Sequence, residues 1–505
     1  MNRSTTLLPR HDAPHTPGLP ALRARSLRRM GRTLLLLAAV TGLGCQDGTM
    51  AMDDPTVQPD PLTDLDKYVK AKDPSYSWML RQTVKGTGYT AYLLTMKSLT
   101  WRSPQEVDRP QWQHELQIIK PDNLTPGPAM MAISGGDNGK TPPTKADDDM
   151  AQIAKATGSI VVNLSQVPNQ PLTFAGHDGK PHEEDGIIAF TWAQVMKTKD
   201  PTWNARFPMV KSAVLAMDTT QEFLRSSAGG SLAIDKFIVA GASKRGWTTW
   251  LTAAVDPRVV AAIPIVIDVL NVDKFMTQHI ETYGFWARSL YDYHYNHITD
   301  FIGTPELAFL LTNEDPYLFR KRLTMPKYIV NATGDQFFLP DGSQNYWDDL
   351  PGDKYLRYVP NADHSLDGSD ALESVVSYVQ GFRDDKARPS FTWKLEGTDT
   401  VRVQTQDKPS KVQLWQATNP KARDFRVETL GKVWKSTDLT DQGGGVYVAK
   451  VAPPATGYTA FYIELTYPSG QLFPYKFSTQ VRVVPDVRPF AGINPRTGMY
   501  EGKGP

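Results

Sequence analysis

FIVAGASKRGWTTWLTAAVDPRV, residues 237–259, is the stretch whose reading decides the fold. Its first five residues are apolar or small and read as a buried strand, and a helical pattern begins directly after Ser243. A strand that enters a Gly-x-Ser turn and leaves at once into a helix holds the serine on a tight corner. Its oxygen then projects above a sheet, at a helix N-terminus whose amides favour developing negative charge. The usual form of this corner is GxSxG. Here Arg245 holds the second position after Ser243, and the glycine arrives one later, at Gly246. Taken alone, the turn fits a nucleophile and a chance serine in a Gly-rich corner about equally.

The rest of the chain separates those readings. AMMAI (129–133), SIVVNL (159–164), FIVAG (237–241), AAIPIVI (261–267), KYIVNA (327–332) and YLRYV (355–359) are strand candidates. Several are continuous apolar runs, as expected of a mostly parallel sheet with helices on both faces. Between them Pro208 opens a helical pattern carried by Val210, Ala213, Val214, Met217 and Leu224. A nucleophilic serine needs a base and an orienting acid, which in the α/β-hydrolase arrangement follow in the order Ser, acid, His. KYIVNATGDQFFLPDG places Asp335 just past a strand, and YLRYVPNADHSLDG places His364 in the loop after the next. Asp335 is preferred as the acid because it lies nearer its strand, with Asp341 as its rival. The oxyanion would be held by the amide of Lys244 and by one from the loop MMAISGGDNG, at Gly135 or Gly136. Lys244 and Arg245 also set cations beside the nucleophile, for a substrate carboxylate, for the oxyanion, or only for solvation of the helix start.

Residues 275–325 interrupt the rhythm and are crowded with aromatics, Trp286 among them as a candidate substrate contact. They read as a helical cap, either packed on its own core or closing over a pocket. After about residue 388, runs such as KVQLWQA and YTAFYIEL alternate apolar and polar residues between turns, the pattern of a C-terminal β-sandwich-like domain through 485. Residues 486–505 show no periodicity and read as an irregular tail.

The 505 residues carry 55 basic and 54 acidic side chains, so no long-range field recruits nucleic acid. Cys45 is the only cysteine, which rules out an intrachain disulfide and a multi-Cys zinc site. Arg25, Arg28, Arg29 and Arg32 precede an apolar run at 34–40, and GLGC (42–45) follows. That is a secretory leader layout, too short for the about 20 apolar residues of a spanning helix. GLGC resembles a bacterial lipoprotein box with Gly42 in place of the usual Leu, which makes residues 1–44 a cleaved signal and Cys45 a lipid anchor at the cell envelope. Ordinary secretion is the alternative. Residues 45–65, rich in Pro and Asp, read as a flexible tether. His294 and His297 stand three apart, and His177 and His182 flank acidic residues. Neither set has the HExxH form, so no metal or cofactor is expected.

With these residues in view, the chain resembles the PhoPQ-activated pathogenicity-related proteins of the PqaA type. The resemblance runs from about 65 to 485 through EEDGIIAFTW (183–192), DPTWNARFPMVKSAVLAMDTTQEF (200–223), GASKRGWTTW (241–250) and GDQFFLPDGSQNYW (334–347). It implies an α/β-hydrolase core, a C-terminal β domain and a bacterial envelope setting. The elbow also resembles that of glucuronoyl esterases, whose nucleophile is followed by a basic residue and a glycine three positions on. This implies an ester substrate that bears a carboxylate. Adjacent Glu183 and Glu184 resemble the paired glutamates that hold a substrate amino terminus in dipeptidyl peptidases, implying a peptide substrate instead. A third reading is a non-catalytic envelope binding or stress-resistance protein on the same scaffold.

Overall fold

The computed structural model describes residues 62–501. The expected leader, Cys45 and all but the last residues of the expected tether lie outside them. The described chain opens on α1 (Asp64–Lys70), capped by Thr63, whose side chain accepts from Asp66 N while Asp66 answers back. An antiparallel meander follows: β1 (Ser77–Gly86), β2 (Tyr89–Thr100) and β3 (Gln111–Pro121).

The core then alternates strand and helix. β4 (Ala129–Ile133), α2 (Asp148–Thr157), β5 (Val161–Leu164), α3 (Glu184–Thr198), α4 (Arg206–Arg225), β6 (Phe237–Ala242), α5 (Lys244–Val255) and β7 (Val259–Ile265) come in turn. Local chemistry sets the helix ends. Asp147 accepts from Met150 N to start α2, and Gly158 at φ 64° closes it. The strands of this core alternate their side chains between two packed faces. Met131, Val239 and Ala262 enter one hydrophobic cluster, while Met130, Ile238 and Ala261 enter the other. Both faces are buried, which is why these strands are apolar throughout.

Between β7 and the next core strand come α6 (Val272–Tyr283), β8 (Phe285–Trp286), α7 (Tyr291–Tyr295) and α8 (Pro305–Glu314). β9 (Lys327–Ala332), β10 (Lys354–Val359) and α9 (Ala371–Arg383) complete the core. β5, β4, β6, β7, β9 and β10 pair in parallel, in that order, across the middle of the sheet. The C-terminal part holds β11 (Phe391–Glu396), β12 (Thr400–Thr405), β13 (Lys411–Asn419), β14 (Lys435–Asp438), β15 (Val446–Lys450), β16 (Tyr458–Tyr467), β17 (Tyr475–Ser478) and β18 (Arg482–Val484). Its strands β17, β16, β13 and β14 continue the main sheet, in the order β1-β2-β3-β5-β4-β6-β7-β9-β10-β17-β16-β13-β14. The joint is a single antiparallel pairing, Leu356 with Ser478. β11, β12 and β15 form a second small sheet. Val401, Val403 and Ala449 of that sheet share a core with Phe461, Ile463 and Leu465 of β16, giving the two-layer packing of a sandwich.

The tail beyond residue 485 lacks periodicity, yet it is held in place. β19 (Met499–Tyr500) pairs in parallel with β8 of the cap, and Phe490 N donates to Glu281 O at 2.9 Å. Glu501 accepts two hydrogen bonds from Arg426, whose side chain is 2% exposed. No helix among the described residues is long and apolar enough to cross a membrane.

Candidate active site

Ser243 sits between β6 and α5 with φ 57° and ψ −128°, a region that non-glycine residues enter only under strain. The corner is pinned by Ser243 N donating to Ile265 O at 2.8 Å and by Trp247 N donating to Ser243 O at 3.0 Å. A Cβ on Gly241 would stand 2.6 Å from Arg245 O, and one on Gly246 would stand 2.8 Å from Gly241 O. The displaced glycine therefore still permits the close approach that the turn requires, and position 245 is left free for a side chain.

Asp335 and His364 come from the loops after β9 and β10. Asp335, 3% exposed, accepts from the backbone N–H of Phe337 at 2.8 Å and of Phe338 at 3.3 Å. His364 Nδ1 lies 2.8 Å from Asp335 Oδ2 and 3.0 Å from Oδ1, and His364 N donates to Gln336 Oε1 at 2.9 Å. A carboxylate on Nδ1 places the ring proton there and leaves Nε2 as the basic nitrogen. Burial by itself would depress this imidazole. The charge and hydrogen bond of Asp335 outweigh it, and the group titrates above its ordinary value.

The rival acid has other work. Asp341, 1% exposed, forms an ion pair with Arg423 at 2.6 Å. Burial pushes its carboxyl up, but the Arg423 charge and hydrogen bond hold it below the usual range.

Next to the elbow, four charges neutralise one another. Lys244 Nζ lies 2.9 Å from Glu184 Oε2 and 3.1 Å from Asp185 Oδ2, while Arg245 Nη2 bonds Glu184 Oε1 and Arg245 Nε donates to Val167 O at 2.7 Å. Burial would raise the Glu184 carboxyl, yet the two cations bring it down to about 2. Glu184 has φ 49°, so strained backbone stands on both sides of this cluster. Glu183 precedes α3 and is exposed. The acids facing the cations are thus Glu184 and Asp185, one residue along from the pair that the sequence singles out.

Arg245 also explains Gly135. A Cβ there would stand 2.5 Å from the guanidinium, so any other residue would displace it. Ile133 pairs with Gly241 across β4 and β6, which sets the loop carrying Gly135 and Gly136 at the same rim as Ser243. Gly136 has φ 118°, a conformation reserved for glycine.

Ser243 opens into a small cavity of about 50 Å³. Trp192 and Trp247 wall it from the core, Met276, Leu290 and Tyr293 roof it from the cap, and Phe337 and Phe338 close the side towards His364. The Phe337 ring lies 4.5 Å from the imidazole, centroid to centroid, so the serine and the Asp335–His364 pair share a wall. The imidazole bonds Asp335, and the Ser243 hydroxyl is not among its partners in this conformation. The cap therefore packs into the same hydrophobic cluster as the sheet rather than on a core of its own, and it also roofs the pocket. Trp286 belongs to the first role. It is fully buried, stacked on His279 at 5.5 Å, and does not reach the cavity.

Three further residues hold the site without an obvious mark in the sequence. Arg206 and Glu314, both fully buried, pair at 3.1 Å beneath α5, where Arg206 also bonds Lys244 O and Glu314 O accepts from Trp247 Nε1 at 2.6 Å. Asp268, in the loop after β7, accepts from the hydroxyls of Tyr346 and Tyr358. Burial pushes its carboxyl up to about 7 against those hydrogen bonds, with Asp335 and Asp341 adding repulsion.

Residues 65–426 match the family model described as PhoPQ-activated pathogenicity-related protein. The chain is 36% identical over 470 residues to "Autocrine proliferation repressor protein A" of Dictyostelium discoideum, covering 87% of this chain and 94% of that one. Solved structures similar to it include an acetyl xylan esterase from Paenibacillus sp. R4, 14% identical, with a TM-score of 0.44 over 63% of this chain and 92% of that chain. A glucuronoyl esterase from Solibacter usitatus, 14% identical, has a TM-score of 0.36 over 62% of this chain and 87% of that chain. The extent of the family match and of the long pairwise identity, on a sheet that carries Ser243, Asp335 and His364 at one rim, places this chain in the family of PhoPQ-activated pathogenicity-related proteins.

Proposed function

We propose that the chain is a serine hydrolase that cleaves an ester of a compact, uncharged acyl group through an acyl-enzyme. The observation that carries this reading is the buried Asp335 carboxylate on Nδ1 of His364, whose ring packs against Phe337 of the cavity into which a strained Ser243 opens. Ser243 Oγ attacks the carbonyl carbon as its proton passes to His364 Nε2, and Asp335 steadies the resulting imidazolium. The oxyanion is held by the amide of Lys244 and one from the loop of Gly135 and Gly136. The imidazolium returns its proton to the departing alkoxide. A water then repeats the sequence on the acyl-serine, releasing the acid and restoring the enzyme.

Size and charge set the substrate class. The cavity at Ser243 has apolar walls and room for a short acyl chain. Lys244 and Arg245 are matched by Glu184 and Asp185, so they offer no unpaired cation to a substrate carboxylate. Glu184, bonded to both cations, is likewise unavailable to a peptide amino terminus. Neutral ester cleavage is thus better supported than uronate-ester or dipeptide cleavage. The leader layout ending at Cys45 supports an envelope address with a lipid anchor. Labelling by radioactive palmitate that is lost in Cys45→Ala checks that part.

The test is a screen of the purified protein against p-nitrophenyl acetate, p-nitrophenyl octanoate, a methyl glucuronate ester and an aminoacyl-peptide amide. Acetate turnover above that of the other three, abolished in Ser243→Ala, is expected. Preference for the glucuronate ester or the amide would reassign the substrate, and no turnover of any by folded protein would favour a binding role.

A further inference from the structure

We propose that His177, Asp178 and His182 form a binding site for a divalent first-row transition metal, with zinc as the natural probe. The proposal does not depend on the esterase reading. The three residues lie in the loop between β5 and α3, which is closed by reciprocal hydrogen bonds. Leu172 N donates to His182 O at 2.9 Å and His182 N donates to Leu172 O at 2.7 Å. Gly176 and Gly179, both at φ 73°, turn the chain back so that the three side chains converge. One ligand atom from each lies within 4.8 Å of the others.

The donors are already oriented. Asp178 Oδ1 stands 2.9 Å from His182 Nε2, and the two histidine rings are 5.0 Å apart. Their faces rest on aromatic neighbours: His177 lies 4.5 Å from Phe190 of α3, and His182 lies 5.8 Å from Phe174. The His182 and Asp178 side chains are only 13% and 21% exposed. His177 Nε2 is buried without a hydrogen-bond partner, an orphan that a metal bond would satisfy. On the far side of His182, its Nδ1 and Asp292 Oδ1 of α7 both lie within 4 Å of the point where a Gly186 side chain would begin, at 3.4 and 3.6 Å.

Two imidazoles and one carboxylate with an open fourth position match the donor set of zinc sites that retain a water. With metal–ligand bonds of about 2.0–2.2 Å, ligand atoms in a tetrahedron stand about 3.4 Å apart, so the widest pair here must close by roughly 1.5 Å. Side-chain rotation covers that distance. Binding replaces the hydrogen bond between His182 Nε2 and Asp178, and the proton of the neutral imidazole moves to Nδ1. It would tie the loop to the start of α3, which carries Glu184 and Asp185.

The experiment is calorimetric titration of the chelator-stripped full chain with ZnCl2, with thermal melts in parallel. One equivalent of zinc is expected to bind at this loop and to raise the melting temperature, with affinity falling at least 10-fold in His177→Ala and in Asp178→Asn and staying unchanged in His294→Ala. Asp178→Asn keeps the shape of the side chain, so it remains informative should a histidine variant fold poorly. Absence of stoichiometric binding, or binding equally tight in Asp178→Asn and His177→Ala, would overturn the proposal.

Discussion

Lys244 Nζ lies 2.9 Å from Glu184 Oε2, so the residue whose amide the proposed mechanism gives to the oxyanion is tied through its side chain to the first turn of α3. Lys244 is 7% exposed and lines the pocket. Removing the Glu184 charge in Glu184→Gln leaves one cation uncompensated beside Ser243. Two unit charges about 4 Å apart in a water-like medium interact by about 1 kcal/mol, or roughly 5-fold in rate. The ratio of kcat/KM for a carboxylate-bearing ester over its neutral analogue should rise by about that factor. Paired kinetics on the two esters measure it.

Asp335 and Asp341 should fail in different ways. Asp335→Asn removes the group that orients the imidazole, so kcat should fall by about three to four orders of magnitude with folding intact. Asp341→Asn strands the buried charge of Arg423, which costs about 3–5 kcal/mol of stability, while turnover of the folded fraction stays within a few-fold. Kinetics together with urea melts separate the two.

The pH profile follows from His364. Its imidazole acts as a base only when neutral, and Asp335 raises its titration above the ordinary 6.5. The kcat/KM of the free enzyme should therefore climb with pH through a midpoint above 6.5. In Asp335→Asn the raising cause is gone and burial remains, so the residual activity should show a midpoint below 6.5. Linkage gives the opposite slope for stability. A raised folded pKa stabilises the fold fully below 6.5, and that contribution disappears as pH rises through the folded value. Melting temperatures across pH 5 to 9 should show this loss in the native chain and not in His364→Gln.

Truncation after Pro485 removes β19 and Glu501, leaving Arg426 with Asp424 and Glu428. The cap loses the strand paired with β8. Melting should drop by a few degrees, and amide exchange in residues 272–304 should quicken. Exchange confined to the C-terminal sheet would show that the tail does not brace the cap.

Much of this architecture is legible in residue patterns. The apolar runs at 129–133, 237–241 and 327–332 became β4, β6 and β9 because both of their faces are buried, a condition that residue type alone reports. The corner at Ser243 was visible in its glycines, even with Gly246 displaced. What stayed hidden depends on long-range pairing. Nothing local to Asp341 announces Arg423, and nothing near Glu314 announces Arg206, since each pair joins segments distant in the chain. Glu183 and Glu184 resemble a pair for a substrate amino terminus, whereas Glu184 and Asp185 are the acids on Lys244, because the start of α3 decides which side chains turn inward. The continuation of the main sheet into β17 and β16 has no local mark for a similar reason: a single pairing at Leu356 and Ser478 makes the joint. The tail, without periodicity, carries its order in contacts to β8 and Arg426.

The most direct test is labelling of the folded, purified chain by a fluorophosphonate probe, followed by mass spectrometry of the modified peptide. A serine activated by His364 should be phosphonylated at Ser243, with labelling lost in Ser243→Ala and slowed at least 100-fold in His364→Ala. Folded protein that resists the probe, or that reacts at another serine, would contradict the account.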